Sequence, residues 1–128
     1  MKLKLLVLAL STVSFGWGQS ADITESLYET YEKYKEPSLD KRRIKHHEIQ
    51  PLLAKLKSDK RFKVKTVGHS IEGKSLSLVS IGSGETDVYL WSQMHGDEPT
   101  ATQAIFDIFN FLKSDDFKEE KEEILGAG

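Results

Sequence analysis

Residues 91–102, WSQMHGDEPTAT, place a histidine and a glutamate three positions apart. Imidazole nitrogen and carboxylate oxygen are ligands that suit zinc, and a catalytic zinc site uses three protein ligands with a fourth position open for water. His95 and Glu98 would supply two of these three ligands. The same spacing also arises by composition alone, with Glu98 as a charge at a helix start and His95 in an ordinary structural role. Spacing by itself leaves both interpretations open.

A strand before this loop and a helix after it would bring the two side chains together. The apolar run at residues 88–92 predicts a central strand, and apolar residues at steps of three and four from Pro99 to Leu112 predict a helix. In open α/β sheets, ligands bind where a strand feeds a helix through a short loop. The positive end of the helix dipole would also favour the ionised form of Glu98.

The rest of the chain predicts helices followed by a hairpin. We expect one helix from Ile23 that ends before Pro37, and a second that Ser38 or Asp40 caps and Pro51 restarts. From Phe62 the apolar residues alternate, which predicts two strands joined by a turn at residues 71–74. Residues 114–123 read as a solvated helix or loop. The order α, α, β, β, β, α indicates an α/β fold in which helices flank a mixed β-sheet.

The first 18 residues have the pattern of a secretory signal peptide. Lys2 and Lys4 precede a short apolar run, and small residues follow it, so we expect cleavage near Gly18 and Gln19 or, alternatively, near Ser20 and Ala21. The mature protein, one domain beginning at residue 19, would then be secreted or periplasmic without a stable membrane anchor.

Charge and cysteine content exclude several kinds of protein. Removing residues 1–18 takes away two of the 18 basic residues and none of the 20 acidic ones, which leaves a formal charge of −4. This balance argues against a nucleic-acid partner. The chain has no cysteine, so a disulfide, a thiol nucleophile and a lipid anchor on cysteine are all excluded.

Two motifs together resemble a known enzyme family. Residues 67–84, VGHSIEGKSLSLVSIGSG, precede the H-x-x-E loop, and this order is similar to the N-terminal half of the zinc carboxypeptidases of peptidase family M14, over residues 31–125. The resemblance implies an α/β/α fold, Zn²⁺ as cofactor and His95 and Glu98 as zinc ligands, the carboxylate being bidentate. Two positions depart from the family pattern: His69 and Asp97 each stand where members often place an arginine, and Asp97 puts the substrate class in doubt.

The family's remaining functional residues come later in its members. These are the third zinc ligand, the general base and the residues that hold the substrate's terminal carboxylate, so we expect no catalytic residue among residues 19–128. His46, His47 and His69 read as surface or hairpin residues. The chain therefore looks like the N-terminal part of a secreted metallocarboxypeptidase that removes C-terminal residues from peptides or proteins and is inactive by itself.

Two alternatives remain. A deacylase of the aspartoacylase and succinylglutamate desuccinylase type has a similar H-G-[ND]-E stretch and a similar fold, but releases acids from small N-acyl amino acids. A non-catalytic secreted binding module could also use the same scaffold, without the later catalytic residues.

Overall fold

A computed structural model describes residues 19–126. The expected signal peptide, residues 1–18, lies outside the described residues. The described part is mixed α/β, with four α-helices and a two-stranded antiparallel sheet. The elements in chain order are α1 (Gln19–Thr30), α2 (His46–Ser58), β1 (Phe62–His69), β2 (Ser75–Ile81), α3 (Thr100–Lys113) and α4 (Lys118–Leu125). No helix among the described residues is both long enough and apolar enough to cross a membrane.

The described residues divide into two compact units, residues 19–32 and 33–126. Helix α1 belongs to the first unit and confirms the predicted helix, although it ends at Thr30, several residues before Pro37. A 3₁₀ turn, Tyr31–Tyr34, follows α1, and a second one, Pro37–Leu39, lies in the second unit. All the elements from α2 onward belong to the second unit.

Helix α2 corrects two details of the sequence prediction. It begins at His46, where the Glu48 carboxylate accepts a hydrogen bond from the backbone N–H of Lys45 at 2.7 Å, so neither Ser38 nor Asp40 caps it. Pro51 lies inside one continuous helix rather than restarting it. Proline removes one backbone hydrogen bond, and burial of three leucines on the same helix outweighs that loss. These leucines are Leu52, Leu53 and Leu56.

Strands β1 and β2 form the predicted hairpin. Phe62 pairs with Ile81 and Val64 with Val79, so the four side chains lie on the face that packs against the core. The connecting loop is closed by a hydrogen bond from the N–H of Ser70 to the carbonyl of Lys74, and Gly73 adopts a φ of +74° that favours glycine. The register shifts between Thr66 and Gly68, which leaves Val67 as a bulge.

The core lies between the helices and the inner face of the hairpin. Leu39 is fully buried, with 0% of its surface exposed, and the rings of Phe62 and Phe106 each meet Phe109 edge to face with centroids 5.7 Å apart. The remaining buried members are the three leucines of α2. This apolar cluster holds α2, the hairpin and α3 together.

The predicted third strand is wrong. Residues 88–92 lie in irregular backbone, and the side chains of residues 88–91 are 62–78% exposed. A strand requires hydrogen bonds from a neighbouring strand, and the described sheet contains only β1 and β2. An apolar run with strand-forming residues therefore stays unpaired.

The predicted helix is confirmed in α3, but it begins at Thr100, with Pro99 as its N-cap residue and not as its first helical residue. The tail contains α4, whose Lys121 is buried against the end of α3. Its ammonium group donates to the carbonyls of Ser114 at 2.6 Å and of Phe111 at 3.3 Å. Burial lowers the pKa of Lys121, and the contacts with the last carbonyls of α3 stabilise its charge.

Candidate functional site

His95 and Glu98 lie on either side of a tight turn immediately before α3. The backbone N–H of Glu98 donates to the carbonyl of His95 at 3.2 Å, which closes the turn around Gly96. This closure brings the Nδ1 atom of His95 within 3.2 Å of the Oε1 atom of Glu98. Both side chains are open to solvent, with 70% and 68% of their surfaces exposed.

The separation of these two atoms suits a shared zinc ion. Zinc lies about 2.0–2.2 Å from nitrogen and oxygen ligands, and two ligands at a tetrahedral angle are therefore about 3.3 Å apart. The observed 3.2 Å is compatible with this spacing, and it is also the distance of a direct contact between the imidazole and the carboxylate. Nitrogen and carboxylate oxygen are also the donor atoms that zinc accepts. The pair fits as two ligands of a zinc site.

Three polar side chains fix the loop to α3. The buried hydroxyl of Thr102 accepts a hydrogen bond from the amide nitrogen of Gln93 at 2.9 Å and donates to the hydroxyl of Ser92 at 3.0 Å. Gln93 adopts a left-handed φ of +61°. This arrangement could not be predicted from the sequence, because glutamine is not a residue that favours that conformation and Thr102 lies within an apolar helical pattern.

A shallow groove adjoins the His95 and Glu98 pair. Its apolar lining residues are Trp91 and Met94 of the loop and Ala101 and Ala104 of α3. The indole N–H of Trp91 donates to the sulfur of Met94. His95 and Glu98 line the same groove, so the pair stands beside apolar side chains.

The other candidate residues lie elsewhere. The Nε2 atom of His46 contacts the carbonyl oxygen of Ser75 at 3.2 Å and joins α2 to the hairpin, while His69 ends β1 and is exposed. Asp97 is exposed and forms no hydrogen bond or ion pair with another described residue. Between residues 19 and 126, the structure gathers no group of three metal-binding side chains.

No protein-family profile, curated protein or solved structure matches this chain. The resemblance to zinc carboxypeptidases rests on the hairpin motif and the H-x-x-E loop.

Proposed function

We propose that this chain carries two zinc ligands, His95 and Glu98, of a secreted or periplasmic metallocarboxypeptidase with a zinc carboxypeptidase-like α/β/α fold. The observation that carries the proposal is the 3.2 Å separation of their ligand atoms across a closed turn. The hairpin that precedes the loop supports it, since residues 67–84 are the stretch that resembles the family. The substrates in this proposal are peptide or protein C-termini.

The residues of this chain would act by holding the zinc ion and orienting its ligands. The His95 ring and the Glu98 carboxylate stand at a helix start, where the helix dipole stabilises a negative charge. A zinc ion held by these residues would supply a water of lowered pKa and would polarise the carbonyl of the bond to be cleaved. The hydrogen bond between Gln93 and Thr102 holds the loop against α3 and so fixes the positions of the two ligand atoms.

The proposal requires a third ligand and a general base in addition to these residues. Asp97 lies between the two ligands in sequence, and its free carboxylate contributes a negative charge beside the site. Asp97 would therefore act on substrate preference and not on the metal.

Zinc content measured on single variants tests the proposal. Two ligands supply about half of the 10–16 kcal/mol that complete structural zinc sites provide, so the chain should bind zinc with a Kd of about 1 µM to 1 mM. The His95→Ala and Glu98→Ala variants should each lose this binding, and isothermal titration with zinc would measure the loss.

Two variants serve as matched controls. Asp97→Ala removes a carboxylate from the same turn, and His69→Ala removes an exposed imidazole from the hairpin. Both should retain zinc binding within about twofold, because Asp97 forms no hydrogen bond or ion pair with His95 or Glu98 and His69 lies in the hairpin. Unchanged zinc binding in both His95→Ala and Glu98→Ala would contradict the proposal. It would show that the loop is only a turn that starts a helix and does not hold zinc.

A further inference from the structure

The chain has three arginines, and each lies beside another basic residue in a connection between elements. Arg42 and Arg43 precede α2, and Arg61 follows Lys60 in the turn before β1. An endopeptidase that cuts after arginine takes the guanidinium into a pocket that holds a carboxylate. The arginine must therefore be able to leave the surface of its own protein. The sequence offers two such basic pairs, and the structure distinguishes them.

The side chain of Arg61 is held in place. Its guanidinium donates hydrogen bonds to both carboxylate oxygens of Asp59 and to the carbonyl of Lys113. The backbone N–H of Arg61 donates to the Asp59 carboxylate at 3.0 Å, and the N–H of Phe62 donates to the Asp59 carbonyl at 3.1 Å. An endopeptidase could bind Arg61 only after these contacts had opened.

The side chains of Arg42 and Arg43 are exposed and form no hydrogen bond or ion pair with another described residue. The backbone amides of residues 42–44 likewise donate no hydrogen bond within the described chain. Lys41 differs, because its ammonium group pairs with the Glu48 carboxylate at 2.5 Å. The two arginines are thus free to enter the pocket of an endopeptidase, whereas Arg61 is not.

The chain is fixed on both sides of this arginine pair. Leu39 is fully buried, and its carbonyl accepts a hydrogen bond from the side chain of Gln103 in α3 at 2.6 Å. The N–H of Glu36 donates to the carboxylate of Asp107, also in α3, at 2.7 Å. After the pair, Ile44 packs against the same core as Leu39. A cut between these anchors would therefore leave both segments bound to the domain.

We propose that the Arg42–Arg43 pair is a processing site for an arginine-specific endopeptidase, and that cleavage gives a two-chain form whose parts stay associated. Water is added across one peptide bond. The preceding segment gains a C-terminal carboxylate, and the following segment gains an N-terminal ammonium group. The contacts of Leu39 with α3 and the core hold the two parts together. Neither His95 nor Glu98 takes part.

Limited digestion of the purified chain with an arginine-specific endopeptidase tests this site. Intact mass spectrometry over time identifies the order of the cuts. We expect the first cut after Arg42 or Arg43, more than about tenfold faster than the cut after Arg61, because cleavage of a held segment must wait for local opening. The two products should elute together from a size-exclusion column in native buffer and separate in urea.

Two variants serve as controls. The double variant Arg42→Gln, Arg43→Gln should stay intact over the period in which the unchanged chain is cut. Asp59→Ala removes the carboxylate that holds Arg61, and it should speed the cut after Arg61 at least about threefold.

Two peptides show whether the fold causes the difference. Peptides that span residues 38–47 and 56–65 are too short to fold, so their cleavage rates should agree within about threefold. A first cut of the folded chain after Arg61 would overturn the proposal. So would peptides that reproduce the rate difference of the folded chain, or products that separate in native buffer.

Discussion

At the scale of single residues, Asp59 and Arg61 form the clearest polar contact of the structure. The guanidinium donates to both carboxylate oxygens of Asp59, at 3.0 and 2.6 Å, and to the carbonyl of Lys113 at the end of α3 at 3.0 Å. Hydrogen bonds from the side chain and backbone of Arg61 lower the pKa of Asp59 to about 2. This pair thereby links the turn after α2 to the end of α3.

The lowered pKa predicts how the stability contribution of Asp59 depends on pH. A carboxylate with a depressed folded-state pKa stabilises the fold above its unfolded pKa of about 3.9, and this contribution is lost as the pH falls towards 2. Asp59→Asn should lower the Tm at pH 7 by about 2–4 °C, a small effect since the pair is solvent-accessible. Thermal melts between pH 7 and pH 2 should show the difference shrinking below pH 4.

The matched control for this prediction is Glu85→Gln, which neutralises an exposed carboxylate in the irregular loop after β2 that forms no hydrogen bond or ion pair with described residues. Its Tm should follow that of the unchanged protein at every pH. A Tm difference for Asp59→Asn that stayed constant down to pH 2 would show that the negative charge of Asp59 does not stabilise the fold.

At the scale of elements, replacing Pro51 tests whether α2 is one continuous helix or two short ones. Inside a helix, proline costs about 3 kcal/mol, while its stiffness in the unfolded chain returns about 0.4–1 kcal/mol. Pro51 is exposed and so contributes little packing. Pro51→Ala should therefore raise the free energy of unfolding by about 1–2 kcal/mol, measured by urea denaturation.

Lys57→Ala, an exposed change on the same helix, is the control and should alter the free energy of unfolding by less than about 0.5 kcal/mol. If α2 were broken at residue 51, Pro51→Ala would instead be nearly neutral. The measurement thus separates the observed helix from the one that the sequence suggested.

The sequence predicted most elements because their signals are local. Alternating apolar residues and a glycine turn specified the hairpin, and the spacing from Pro99 specified α3. Residues 88–92 could not be predicted in this way, since their local preference for a strand is satisfied only when a partner supplies hydrogen bonds. The convergence of His95 and Glu98 followed from a short turn, whereas the support from Gln93 and Thr102 depends on tertiary contacts.

At the scale of the whole molecule, charge is segregated along the chain. No lysine or arginine lies between Lys74 and Lys113. Apart from histidine, every charged residue in the segment that contains His95 and Glu98 is therefore acidic. The segment between Lys41 and Lys74, by contrast, is rich in basic residues. This asymmetry favours cations at the loop and acidic segments at α2 and the hairpin.

The close approach of two glycines has a consequence for hydrogen exchange. A Cβ atom on Gly126 would lie 2.3 Å from the Cα of Gly84, and the N–H of Ser83 donates to the carbonyl of Leu125 at 2.8 Å, so the end of α4 clamps the start of the loop. Beyond this clamp, the amides of residues 85–97 donate no backbone hydrogen bond within the described chain. In deuterated buffer the Ser83 amide should exchange slowly and these amides within seconds, and added zinc should slow only those next to His95.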